Sequence, residues 1–88
     1  MTRRDVVVQN ELGLHLRSAG TFVRTASRFQ SQIRVATPAL PPVDGKSILG
    51  LVTLGAAPGV TLTITAEGPD EVEAVRTLSE LVSARFGE

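Results

Sequence analysis

Val60-Thr61-Leu62-Thr63-Ile64-Thr65-Ala66 alternates an apolar residue with threonine along its whole length. Successive side chains of a strand point to opposite faces, so the segment has one apolar face and one threonine face. It is the clearest strand signal in the chain. A sheet built around it has one side to cover, and the rest of the sequence supplies the cover.

Asp5 to Gln9 reads as a first strand, and Asn10-Glu11-Leu12-Gly13 as a loop, with Gly13 permitting a backbone turn. A first helix is predicted from about Leu16 to Arg28. Its apolar face is Ala19, Phe22, Val23, Ala26 and Phe29, at i, i+3, i+4 and i+7 spacing. Gln32 to Ala36 alternates as a second strand. Pro38, Pro41 and Pro42 then allow a turn and an edge strand at Val43-Asp44, because proline donates nothing to a ladder. Ser47 as N-cap and Gly55 just past the end bracket a short helix over 48–54. Five apolar residues in seven are more than two turns can turn inward. Some of Ile48, Leu49, Leu51, Val52 and Leu54 are therefore expected on the surface. Pro58-Gly59 turns into the alternating strand. Gly68-Pro69-Asp70-Glu71 opens a last helix, with proline in its first turn, an inward stripe of Val72, Val75, Leu78 and Val82, and Arg85 closing it before Gly87. The order β-α-β-β-α-β-α predicts an α+β open-faced sandwich: a four-stranded, mainly antiparallel sheet with three helices on one face.

The chain has 88 residues, which make one domain, and 42% of them are hydrophobic, enough for a single core. A chain of this size buries only about 60–65% of its unfolded surface. There is no cysteine, hence neither a disulfide frame nor thiolate chemistry. A secreted domain this small often needs disulfides, and Val6-Val7-Val8 is too short for a signal sequence or a membrane span. The expectation is a cytoplasmic protein with no membrane insertion. Nine basic residues balance nine acidic ones, and three phenylalanines are the only aromatics. Nucleic-acid binding normally needs a basic surplus and stacking platforms, so none is expected. One histidine without cysteine supports no metal site, and no Walker-type loop is present to hold a nucleotide. No cofactor is expected.

The chemistry concentrates at Gly13-Leu14-His15-Leu16-Arg17-Ser18-Ala19, which holds the only histidine. His15 falls where a helix begins. The first N–H groups of a helix lack internal partners, and the dipole favours anions there, phosphate above all. Arg17 adds a forked donor suited to phosphate oxygens. Most lone histidines near turns are solvated or structurally bonded, and spacing alone does not separate the two roles.

Gly13-Leu14-His15-Leu16-Arg17 resembles the phosphorylation segment of HPr, the histidine-containing phosphocarrier family of the bacterial sugar phosphotransferase system. Asp44-Gly45-Lys46-Ser47-Ile48 is similar to the family's regulatory-serine segment. Thr53-Leu54-Gly55 and Ala66-Glu67-Gly68-Pro69-Asp70-Glu71 resemble further family segments, so the likeness runs along nearly the whole chain. The resemblance implies a phosphoryl carrier that is a substrate of other enzymes and not itself an enzyme. It implies that His15 accepts a phosphoryl group on Nδ1 from enzyme I and passes it to a sugar-specific enzyme IIA, with Arg17 offsetting its charge. Imidazole suits that chemistry, because its ordinary pKa of about 6.5 leaves it mostly neutral and nucleophilic near pH 7. The resemblance also implies Ser47 as a site for HPr kinase/phosphorylase, Ser18, Gly20, Ile48, Leu49 and Val52 as partner-contacting residues, and a monomer. Three departures stand out: Ser18 replaces the family's usual proline, Gly20 its alanine or threonine, and the Pro38–Pro42 hairpin is about one residue longer. Two other readings compete. One is a regulatory HPr-like protein, phosphorylated at Ser47, that binds a transcription factor or enzyme. The other is a ligand-binding α+β module.

Overall fold

A computed structural model describes residues 1–88. Its elements are β1 (Thr2–Val7), α1 (Leu16–Ala26), β2 (Gln32–Ala36), β3 (Val43–Asp44), α2 (Ile48–Leu54), β4 (Thr61–Glu67) and α3 (Glu71–Ser83), followed by a 3-10 turn at Arg85–Gly87. The strands form one sheet in the order β1-β4-β2-β3, and every pairing is antiparallel. The alternating strand β4 is therefore central. Leu62, Ile64 and Ala66 are fully buried on its inner face, while its threonines line the outer one. Ile33 and Val35 of β2 and Val6 of β1 share that inner face. Ala19, Phe22 and Ala26 of α1 and Val75, Leu78 and Val82 of α3 complete the core, with Val23 and Phe29 partly buried against it. No helix is long and apolar enough to cross a membrane.

Several boundaries differ from the sequence reading, each for a physical reason. β1 starts at Thr2 and ends at Val7 because the ladder to β4 runs from Thr2↔Ala66 to Val7↔Thr61. Charge at Arg3, Arg4 and Asp5 does not oppose an edge strand. α1 ends at Ala26, where Arg28 and Phe29 make tighter bonds to the carbonyls of Thr25 and Ala26. Val72, expected in the inward stripe of α3, is 67% exposed. It lies about a quarter turn from the centre of the buried stripe formed by Ala74, Val75, Leu78, Ser79 and Val82. Pro69 lies outside the helix, ahead of its N-cap Asp70. The carboxylate of Asp70 makes no cap bond and instead accepts from the backbone N–H of Gln30 and the N–H and hydroxyl of Ser31. Arg85 does not close α3, which stops at Ser83. Arg85 (φ 58°) and Phe86 (φ 55°) are left-handed, and they reverse the chain and bury Phe86.

Candidate functional site

The connection from β1 to α1 is pinned before it reaches His15. Gly13 has φ +68°, and a Cβ there would collide with the carbonyl oxygen of Ala56, so only glycine fits. Leu14 donates its N–H to that same carbonyl at 2.8 Å and buries its side chain. The Asn10 amide nitrogen donates to the Gly13 carbonyl at 2.7 Å. Two fixed residues thus present His15 at the edge of the core.

His15 is the N-cap of α1, with an extended backbone (φ −124°, ψ −174°). Its ring does what a serine or aspartate oxygen usually does: Nδ1 accepts the backbone N–H of Arg17 at 3.2 Å. In return the Ser18 hydroxyl oxygen accepts the His15 backbone N–H at 2.9 Å, a reciprocal capping arrangement. The Ser18 hydroxyl donates to the Gly13 carbonyl at 3.0 Å. An N–H can only donate, so Nδ1 carries a lone pair and Nε2 carries the ring proton. Nε2 stands 2.9 Å from Oε2 of Glu88. The same oxygen lies 3.5 Å from Nε of Arg17, and Oε1 of Glu88 accepts from the Asn10 amide at 3.1 Å. Burial pushes the Glu88 carboxyl upward. The hydrogen bonds from Asn10 and His15 and the nearby charge of Arg17 outweigh it and hold the carboxyl below its usual value. Asn10, Glu11, Leu12, Arg17, Arg85 and Glu88 line a cavity of about 270 Å³ beside the ring.

The structure thus brings His15 and Arg17 together at one helix start and places Ser47 on another. Ser47 caps α2 by accepting the Gly50 N–H at 3.0 Å, and Gly55 ends that helix in the left-handed region. Leu51 and Leu54 enter the core, while Leu49 is 77% exposed, Ile48 is exposed and Val52 is half-buried. Ser18 and Gly20, expected to touch partners, are both buried. Ser18 acts inside, on the backbone around His15. A Cβ at Gly20 would lie 3.6 Å from the Arg24 guanidinium, an ordinary contact, so nothing there requires a glycine. The sequence reading missed Asn10 and Glu88. Asn10, three residues before Gly13, offered a local turn signal; Glu88 lies 73 residues from His15 and offered none. No group of three or more His, Cys, Asp or Glu side chains is placed to hold a metal ion.

The site is an imidazole with its lone pair at a helix start and an arginine beside it, carried on a small antiparallel sheet. The family model for the HPr component phosphorylation site of the phosphotransferase system matches residues 2–84. The phosphocarrier protein HPr of Neisseria meningitidis is 42% identical over 88 residues, covering 100% of this chain and 98% of the relative. The crystal structure of HPr-C-His from Thermoanaerobacter tengcongensis superposes with a TM-score of 0.93 at 42% identity, covering 100% of this chain and 98% of that one. An HPr dimer from the same organism superposes at 0.77, covering 100% of both chains at 42% identity. This chain belongs to the HPr family, and its role is that of a phosphocarrier in the phosphotransferase system. Nothing in these likenesses favours the regulatory alternative.

Proposed function

We propose that His15 is the phosphoryl acceptor, through Nδ1, and that it relays the group from enzyme I to a sugar-specific enzyme IIA. The observation that carries this reading is the orientation of the ring: Nδ1, unprotonated, points at the first N–H groups of α1. In acceptance, the Nδ1 lone pair forms the N–P bond while the donor's P–N bond breaks and its electron pair returns to the donor nitrogen. The Arg17 N–H, released from Nδ1, donates to a phosphoryl oxygen, and the Arg17 guanidinium offsets its charge. Transfer to enzyme IIA runs the same step in reverse. The protein is a substrate of the enzymes on either side and catalyses no reaction alone.

The working form in this reading is a monomer. Exposed Leu49 and Ile48 with half-buried Val52 form the apolar part of the docking face for enzyme I. Ser47 is the site where an HPr kinase/phosphorylase adjusts that docking. The cytoplasm, where enzyme I is charged by phosphoenolpyruvate, is the working compartment. Incubation with enzyme I and phosphoenolpyruvate should add one acid-labile phosphate to the parent and none to His15→Ala. Equal labelling of the two would overturn the assignment.

A further inference from the structure

We propose that the outer face of the sheet, the one turned away from the helices, holds a binding site for a small organic phosphate. Thr65 of β4 pairs with Arg3 of β1 on one side and with Arg34 of β2 on the other. The three side chains therefore stand in one row on that face. Neighbouring strands lie about 4.8 Å apart, so the two arginines flank the threonine across about 10 Å. Together with Met1, Ala36 and Pro42 they line an open groove of about 330 Å³.

The donors of this row are open to a ligand. Arg34 faces Asp44 in the strand register, but the Asp44 carboxylate accepts the Lys46 N–H at 2.9 Å. Arg34 pairs with no carboxylate. Arg3 touches one, Asp5, at the long distance of 3.9 Å. That carboxylate already accepts the Thr63 hydroxyl at 2.8 Å. Glu67, next after Thr65 on the same face of β4, is the third carboxylate there. Thr65 itself is half-buried between the two arginines, with its hydroxyl directed out of the sheet.

Charge and the number of donors select the ligand. Each guanidinium presents a planar fork of N–H donors that fits a phosphate or a carboxylate. A carboxylate has two oxygens and one charge, and a single fork fills it. A phosphomonoester has three terminal oxygens and nearly two charges at pH 7, so both forks and the Thr65 hydroxyl find an acceptor. The groove is larger than a bare phosphate, and Met1, Ala36 and Pro42 make part of its wall apolar. That part takes carbon. The ligand class is therefore a phosphomonoester with a compact apolar body.

The test follows nitrogen-15 amide spectra of the full chain during titration with phenyl phosphate, inorganic phosphate and tetraglutamate. The start of α1 also attracts anions, so the position of the shifted amides tells which site fills. Phenyl phosphate should shift the amides of Arg3, Arg34 and Thr65 with a Kd of about 1 mM, the scale for a ligand of its size on an open site. Inorganic phosphate should bind there roughly three- to tenfold more weakly, because it leaves the apolar wall uncovered. Arg34→Gln and Arg3→Gln should each weaken phenyl phosphate at the sheet by roughly three- to tenfold and leave the shifts at Arg17 and Ser18 as they are. Arg34→Lys should restore part of the loss. Shifts confined to the start of α1, or equal in the parent and both glutamine variants, would overturn the site. Inorganic phosphate binding as well as phenyl phosphate would overturn the organic ligand class. Tetraglutamate binding more tightly than phenyl phosphate would overturn it in favour of an acidic protein segment.

Discussion

His15 occupies an N-cap position that Ser, Thr, Asp and Asn usually fill, and its ring nitrogen takes over their role. Whatever holds the cap also aims Nδ1. Ser18 stiffens the turn by other means than the proline common in the family, with its hydroxyl oxygen on the His15 N–H and its proton on the Gly13 carbonyl. A proline at position 18 would lose both bonds. Arg17 is the exposed partner, 69% open at its side chain. Arg17→Ala should slow phosphoryl transfer roughly ten- to a hundredfold, the equivalent of about 1.5–3 kcal/mol for one charge-assisted hydrogen bond. The melting temperature should hardly move, because the side chain's one carboxylate contact is long and solvated. Stopped-flow transfer rates beside thermal melts check both halves. Parent-like rates in the folded variant would remove Arg17 from the chemistry.

Among the elements, α2 shows how a short helix divides its labour. Its seven residues are bracketed by the Ser47 cap and the left-handed Gly55, so its ends were legible from two residues. Its apolar content exceeds what one face can bury: Leu51 and Leu54 go inward, and Leu49 is left out. The helix packs against α1, the helix that His15 begins. Leu49→Ala should weaken enzyme I binding roughly fivefold, about 1 kcal/mol for a peripheral apolar contact, with the fold intact. Ser47→Asp should also leave the fold intact, since a negative charge suits a helix N-terminus. It should weaken enzyme I binding more at low salt than at high salt. Calorimetric titrations with both variants at two salt concentrations decide the matter. Full affinity in both would reduce α2 to core packing. α3 is the element that periodicity described least well. A stripe drawn through Val72 ignored that the neighbouring position, Glu71, faces β1 and binds the Thr2 hydroxyl at 2.6 Å.

At the scale of the molecule, what was legible was what is local. The alternation of β4, the apolar face of α1, the caps of α2 and the helix start at His15 are each written within ten residues, and the structure has all of them. What was not legible depends on residues far apart. Asp70 reaches back 39 residues to Ser31, and Glu88 reaches 73 to His15 through a left-handed turn that no composition signal marks. These long links also set the response to acid. The Thr2 hydroxyl above all, with the terminal ammonium and the Gly68 N–H, holds the Glu71 carboxyl at about 2, below its ordinary 4.5. The Ser31 hydroxyl and the Gln30 N–H likewise hold Asp70 below its ordinary value. Both folded values are depressed, so the stability they lend is full above the unfolded values and is lost as pH falls through about 4.5 toward 2. Glu71→Gln should therefore melt lower than the parent at pH 7, and lose less of its melting temperature between about pH 5 and 2. A parent-like acid slope in that variant would sever the link.

The reacting atom itself is the most direct point of test. Nitrogen-15 spectra of the protein labelled by enzyme I and phosphoenolpyruvate place the phosphate on one ring nitrogen. The geometry of His15 predicts phosphorus coupling at Nδ1, a proton retained on Nε2, and loss of the phosphate on addition of enzyme IIA. Phosphate on Nε2, on another residue, or held fast against enzyme IIA would contradict it.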